Sequence, residues 1–165
     1  QAACGGTHRL FGLTWVHHLH LKSGGTTNGI WQEIADKTSK YRDIARKFQN
    51  ADGTFSTNYF RGPGNSPDKQ LRIASTGHTL EWLALALSNE ELKEEWMRRA
   101  VSALSLQILE LQDEAVEGGS LYHAVHGLLI YYARLYDHSW LGPNDPVVPL
   151  PHDWTPATDG RTGPH

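Results

Sequence analysis

The sequence predicts an all-α protein built as an array of helical hairpins, and three observations carry that prediction. No stretch alternates apolar and polar residues at the two-residue period of a strand. Segments that are apolar nearly all round alternate with segments that are apolar along one stripe only. Each all-apolar segment also follows a turn rich in Gly, Ser or Thr and brings a histidine near its start: "GGTHRLFGL" at residues 5–13, "STGHTLEWLALAL" at 75–87 and "GGSLYHAVHGLLIYY" at 118–132.

The elements follow in order. Residues 7–21 carry Leu10, Phe11, Leu13, Trp15 and Val16 on most sides of a helix, the pattern of a buried one. From Asn28, an N-cap residue type, to about Gln49, Ile30, Ile34, Tyr41, Ile44, Ala45 and Phe48 recur at steps of three and four, with charges between them. That spacing predicts an amphipathic helix. Residues 51–74 are dense in Gly, Pro, Asn, Asp and Ser and predict a long loop, a feature often functional in a compact domain. A second buried helix is expected over about 76–87. Ser88 and Glu91 have the Ser-x-x-Glu spacing of a capping box, which opens an amphipathic helix along Leu92, Trp96, Ala100, Val101, Leu104, Ile108 and Leu111. "EAVEGG" then breaks the chain, and a third buried helix is expected over about 120–136. Residues 1–137 thus read as one helical domain, and 138–165 as an extended proline-rich tail able to wrap it through Trp140, Val147, Val148, Leu150 and Trp154.

Composition narrows the function classes. The 165 residues suffice for one domain with a real core. A formal net charge of −3 argues against a nucleic-acid binder, because such proteins carry basic excess to neutralise phosphate. No apolar run approaches the roughly 20 residues of a membrane span. Cys4 is the single cysteine, which excludes an internal disulfide and an all-cysteine zinc site. Two readings of Cys4 stand, a nucleophile beside His8 and a small buried thiol. The chain opens on Gln1, which leaves export with a processed N-terminus as one expectation and a missing upstream part as another. The "HHLH" of His17–His20 spreads its rings around a helix and reads as a solvated helix end.

Two short motifs carry a resemblance. "KFQNADGTFS" at 47–56 resembles the Gln-x-x-x-Gly-x-aromatic signature that closes outer helices in squalene-hopene cyclase-like proteins, with Gln49, Gly53 and Phe55 in its places. "SLYHAVHGLLIYY" is similar to the inner helix of protein prenyltransferase β subunits that supplies a zinc ligand, with Tyr122-His123 as the matching pair. "CGGTHRL" and "TGHTLEWL" also resemble segments of bacterial proteins expected to share that fold. Together they imply a partial α/α toroid of about two and a half hairpins, too few to close a ring, so that three alternatives stand: one part of a larger toroid, an arc completed by another copy or chain, or a degenerate small relative. The Asp-x-Cys ligand pair of the prenyltransferases and the Asp-x-Asp-Asp acid of the cyclases have no counterpart here.

In such an array the inner helices run parallel. His8, His78 and His123 then gather at one mouth, with His126 one turn below His123. The helix dipole favours neutral imidazole there, the form that binds a metal or accepts a proton. Three readings remain open. In the first, His8, His78, His123 and His126 hold a metal, for which zinc is the candidate, with Glu81 as a further ligand or base. In the second, His78, Glu81, His123, Tyr122 and Arg9 form a metal-free acid-base site. In the third, the histidines only fasten helix ends while Arg9 and Glu81 pair in the core. The function expected is a pocket protein, an enzyme or part of one, acting on a small molecule, lipid or glycan. The alternative is a non-catalytic binding or scaffold module.

Overall fold

The computed structural model of the protein describes residues 3–136. A 3-10 turn over Ala3–Gly6 leads into α1 (Thr7–Lys22), followed by α2 (Ile30–Lys47) and a second 3-10 turn at Tyr59–Arg61. Then come α3 (Lys69–Ala86), the single turn α4 (Asn89–Leu92), α5 (Glu95–Glu110) and α6 (Gly118–Leu135). The described residues are all-helical, without a strand. The proposed tail, 138–165, lies outside them.

Helix α3 is the centre of the molecule. Ile73, Leu80, Trp82, Leu83 and Ala84 are fully buried on it, packed with Met97, Ala100 and Leu104 of α5 and with Ala124 and Ile130 of α6. Helix direction follows from which residues meet. His8 lies beside His78, and the Trp82 indole donates to Thr14 Oγ1 at 3.1 Å, so α1 and α3 advance together. Gln70 reaches Ala115, Glu81 reaches His123 and His126, and Arg134 reaches Ala84 and Leu87, so α3 and α6 do the same. Arg42 of α2 lies by Ala86 at the end of α3, while Asp52, just past α2, pairs with Arg72 near the start of α3, which sets α2 against the direction of α3.

Two glycines set the closeness of α3 and α6. A Cβ on Gly77 would stand 2.8 Å from Ala124 Cα, and one on Gly127 would stand 2.8 Å from the Glu81 backbone nitrogen. Neither helix backbone could be this near if those positions bore a methyl group. Arg134 then ties the pair at the far end, donating to the Ala84 and Leu87 carbonyls at 2.6 Å each and capping α3. Burial brings its guanidinium down to about 10.

Several expectations need correction. Helix α3 starts at Lys69 rather than near 76, because Asp68 caps it by accepting from the Gln70 and Leu71 amides. His78 and Glu81 therefore sit mid-helix. Helix α1 is not buried all round: only Thr7 and Leu10 are, since α1 lies at the edge of the layer with α3 covering one side. The far edge is α6, where Tyr122, Val125, Tyr132 and Tyr136 remain exposed. Ile30, assigned to the apolar stripe of α2, is 60% exposed at that helix's first turn. The Ser88-Glu91 capping box forms in both directions, but it opens the single turn α4, and Glu94 starts α5 separately. In the loop, Gln49 Nε2 donates to the Gly53 and Trp96 carbonyls at 2.9 and 2.8 Å, and Phe55 packs edge-on against Trp96. Gly53, at φ 91°, passes so close to the Arg99 carbonyl that a Cβ would clash with it.

Candidate metal centre and adjoining groove

His8 is the second residue of α1, His78 lies in the third turn of α3, and His123 lies in the second turn of α6. The three helices run parallel, so these positions fall at one level. Ring centroids are 5.1 Å apart for His8 and His78, 4.8 Å for His8 and His123, and 4.0 Å for His78 and His123. Nε2 of His8 faces Nε2 of His123 at 3.3 Å. Cys4 joins from the N-terminal turn: one ligand atom each from Cys4, His8 and His78 lies within 4.8 Å of the others. This Cys/His cluster can hold a metal ion.

The other ring nitrogens have partners of their own. His78 Nδ1 donates to the Ala74 carbonyl at 2.6 Å, which leaves Nε2 with a lone pair. His123 Nδ1 donates to Glu81 Oε2 at 2.8 Å and His126 Nδ1 to Glu81 Oε1 at 2.6 Å. A carboxylate on one ring nitrogen is the arrangement that orients a metal-ligating imidazole, and the other nitrogen of His123 is the one that meets His8. Burial pushes the His78 pKa down; the bond to the Ala74 carbonyl opposes that shift, and the neighbouring His123 and His8 act with burial. The cause is burial rather than the helix terminus, because His78 is nine residues inside α3. For Glu81 burial pushes upward, but the hydrogen bond from His126 and the attraction of His123 outweigh it and hold the carboxyl below its ordinary range. The Cys4 thiol is raised, first by burial and then by the charge of Glu117. Without a metal it is a protonated thiol and a poor nucleophile.

Between α1 and α6 a groove of about 520 Å³ opens beside the cluster, with Glu81 of α3 in its floor. Phe11, Gly12, Trp15 and Val16 form one wall, and Tyr122, His123, His126 and Ile130 form the other. Tyr122 stacks on His126 at 5.4 Å and meets His123 edge-on at 5.2 Å.

The structure thus brings His8, His78 and His123 together, places Glu81 and Tyr122 beside them, and separates two residues from that grouping. His123 and His126 both turn Nδ1 to Glu81 and neither belongs to the metal-competent group of Cys4, His8 and His78; His123 reaches that group through Nε2, 3.3 Å from His8, and His126 has no such contact among the described residues. Arg9 is exposed and pairs with nothing in the core: it is one residue past His8, about 100° round the helix, and both oxygens of Glu81 are already taken by imidazoles. At the other end of α1, His20 stacks on Trp31 at 3.9 Å and bonds the Thr26 carbonyl, the role of a helix end. The sequence offers Cys4 as a nucleophile or a core thiol, and the structure sets it among donors that can hold a metal. The signal for it was the short Cys-Gly-Gly-Thr-His spacing, which lets a turn fold the thiol back over the first helical residues.

The fold and the cluster define an all-α protein with a candidate transition-metal centre at the head of a groove. No protein-family model, curated protein or solved structure matches the chain.

Proposed function

We propose that this chain is a zinc-binding pocket protein built as part of an α/α toroid, an enzyme or a piece of one, whose metal activates a group on a ligand lying in the groove. The observation that carries the reading is the convergence of donors from Cys4, His8 and His78 within 4.8 Å, with Nε2 of His123 3.3 Å from Nε2 of His8. Two ligands of a tetrahedral zinc, each bonded at about 2.0–2.1 Å, stand about 3.3–3.4 Å apart. The His8–His123 separation fits that edge. Zinc bound there would polarise a carbonyl or lower the pKa of a bound water. His123 would be oriented by Glu81, and His126 would offer a second imidazole to the groove. Parallel α1, α3 and α6 with antiparallel α2 support the toroid-type array, as do Gln49, Gly53 and Phe55 acting together at the end of α2.

A second reading has its own observation. Glu81 accepts from imidazoles of α6 through both oxygens, and that fastens α3 to α6 without any chemistry. A non-catalytic helical module would use it so.

Metal analysis separates the two. Purified protein reconstituted with zinc should retain one equivalent through gel filtration, and His8→Ala should lose it with the helical circular-dichroism spectrum unchanged, since His8 is exposed. Failure to retain zinc, with wild-type folding intact, overturns the metal reading and leaves the fastening one.

A further inference from the structure

The groove sorts its polarity along its length. His8, His123 and His126 stand at one end, and Phe11, Trp15, Val16 and Ile130 line the remainder. Glu81 in the floor has both oxygens occupied, and no amide, aliphatic hydroxyl or cationic side chain lines the walls. A glycan needs polar partners along its whole body, and beyond the histidine end this groove offers only the indole N–H of Trp15. From His8 to Val16 is eight residues of helix, about 12 Å of wall. Gly12 contributes no side chain midway, and a Cβ built there meets nothing within 4 Å. The wall is therefore open at that point.

We propose that the groove takes an unbranched amphiphile: an oxygen-donor head, a carboxylate or its equivalent, on the metal, and an aliphatic chain of about eight to ten carbons along α1 and α6. The inference rests on the metal reading for its head and on the apolar walls for its chain, so the two parts fail separately.

The test uses the full chain loaded with one equivalent of cobalt(II), titrated with n-alkyl hydroxamates from two to twelve carbons and followed by the cobalt visible spectrum and by calorimetry. Affinity should rise about two- to four-fold per added methylene, the range expected for partly to fully buried CH₂ groups, and level off near eight to ten carbons. Gly12→Leu, which puts a side chain into that open stretch of the groove, should cut the ratio of decano- to acetohydroxamate affinity by at least about ten-fold. It replaces a helical glycine by a better helix former, so folding is not at risk. Acetohydroxamate binding with no gain from a longer chain overturns the amphiphile and leaves the metal centre standing. Absence of metal uptake overturns both. A flat chain-length series from a protein that light scattering finds dimeric, with Val16→Glu restoring the monomer, assigns the groove to a second copy and overturns the amphiphile.

Discussion

Two glycines in this protein should respond to the same substitution with opposite signs. Gly77 lies where α3 crosses α6, and an alanine methyl there would press on Ala124 at 2.8 Å from Cα and 2.9 Å from the backbone nitrogen. Backbone in a packed helix cannot swing aside as a side-chain tip can, so the helices must separate by several tenths of an ångström. Overpacking of this kind costs about 1–3 kcal/mol. The better helix propensity of alanine returns about 1 kcal/mol, leaving a net loss of about 0–2 kcal/mol. At Gly12, by contrast, the new methyl meets nothing within 4 Å. Only the propensity gain remains there, about 0.5–1 kcal/mol of added stability. Urea denaturation with far-ultraviolet detection reads both, and in a chain of this size each kcal/mol moves the thermal midpoint by about 2–4 °C. Separation of α3 from α6 also lengthens the Glu81–His123 and Glu81–His126 bonds, now 2.8 and 2.6 Å, so Gly77→Ala should weaken metal retention where Gly12→Ala does not. Equal, stabilising effects of the two substitutions would refute the claim that glycine sets the α3–α6 distance.

Two further outcomes follow from the same packing. Arg134→Met keeps the aliphatic stem but strips the donors from the Ala84 and Leu87 carbonyls and from Asn89, and should cost about 1–3 kcal/mol in the same denaturation assay. In metal-free protein, stability should fall on acidification below about pH 6.5, where unfolded histidine takes a proton that buried His78 resists; more protons on the unfolded state means stability rises with pH through that window. His17, also lowered by burial, acts in the same direction, so His78→Gln should reduce the slope between pH 7.5 and 5.5 without abolishing it. The lowered Glu81 carboxyl adds stability present above its ordinary value of 4.5 and lost below it, and Glu81→Gln should remove that second, more acidic component.

What the sequence made legible was periodicity and order. The stripe Leu92, Trp96, Ala100, Val101 and Leu104 is buried as its spacing required, and Ser88 and Glu91 cap as their spacing required. The level at which His8, His78 and His123 meet was legible only through the assumption of parallel inner helices. The start of α3 is not legible, since Lys69, Gln70 and Arg72 mask the opening of a helix that Asp68 caps. The exposure of α1 was not legible, because an apolar helix at the edge of a layer has the same composition as one at its centre. Gly77 and Gly127 gave no periodic signal at all. Each sits one residue from a histidine, and their meaning lies in what faces them from the other helix.

The position of Cys4 argues for a ligand rather than for packing. Cys4 and Tyr59 are the two described non-glycine residues with positive φ, 49° and 54°, and they adjoin: Gly5, next to Cys4, lies against the Tyr59 ring so closely that no Cβ would fit. Left-handed conformations at two such residues cost about 1–3 kcal/mol each and persist only where the surroundings over-determine them. Thr7 Oγ1, donating to the Cys4 carbonyl at 2.8 Å, and the burial of Tyr59, which raises its phenol to about 12, supply part of that hold. A small thiol filling core space needs no such backbone, since any apolar side chain on an ordinary turn would serve. Here the turn has only Gly5, Gly6 and Thr7 in which to reverse, and it brings the thiol within 4.8 Å of ring nitrogens of His8 and His78. The strain is therefore placed where a bond to a metal would repay it, and Cys4 is the residue through which metal binding would order the N-terminal turn.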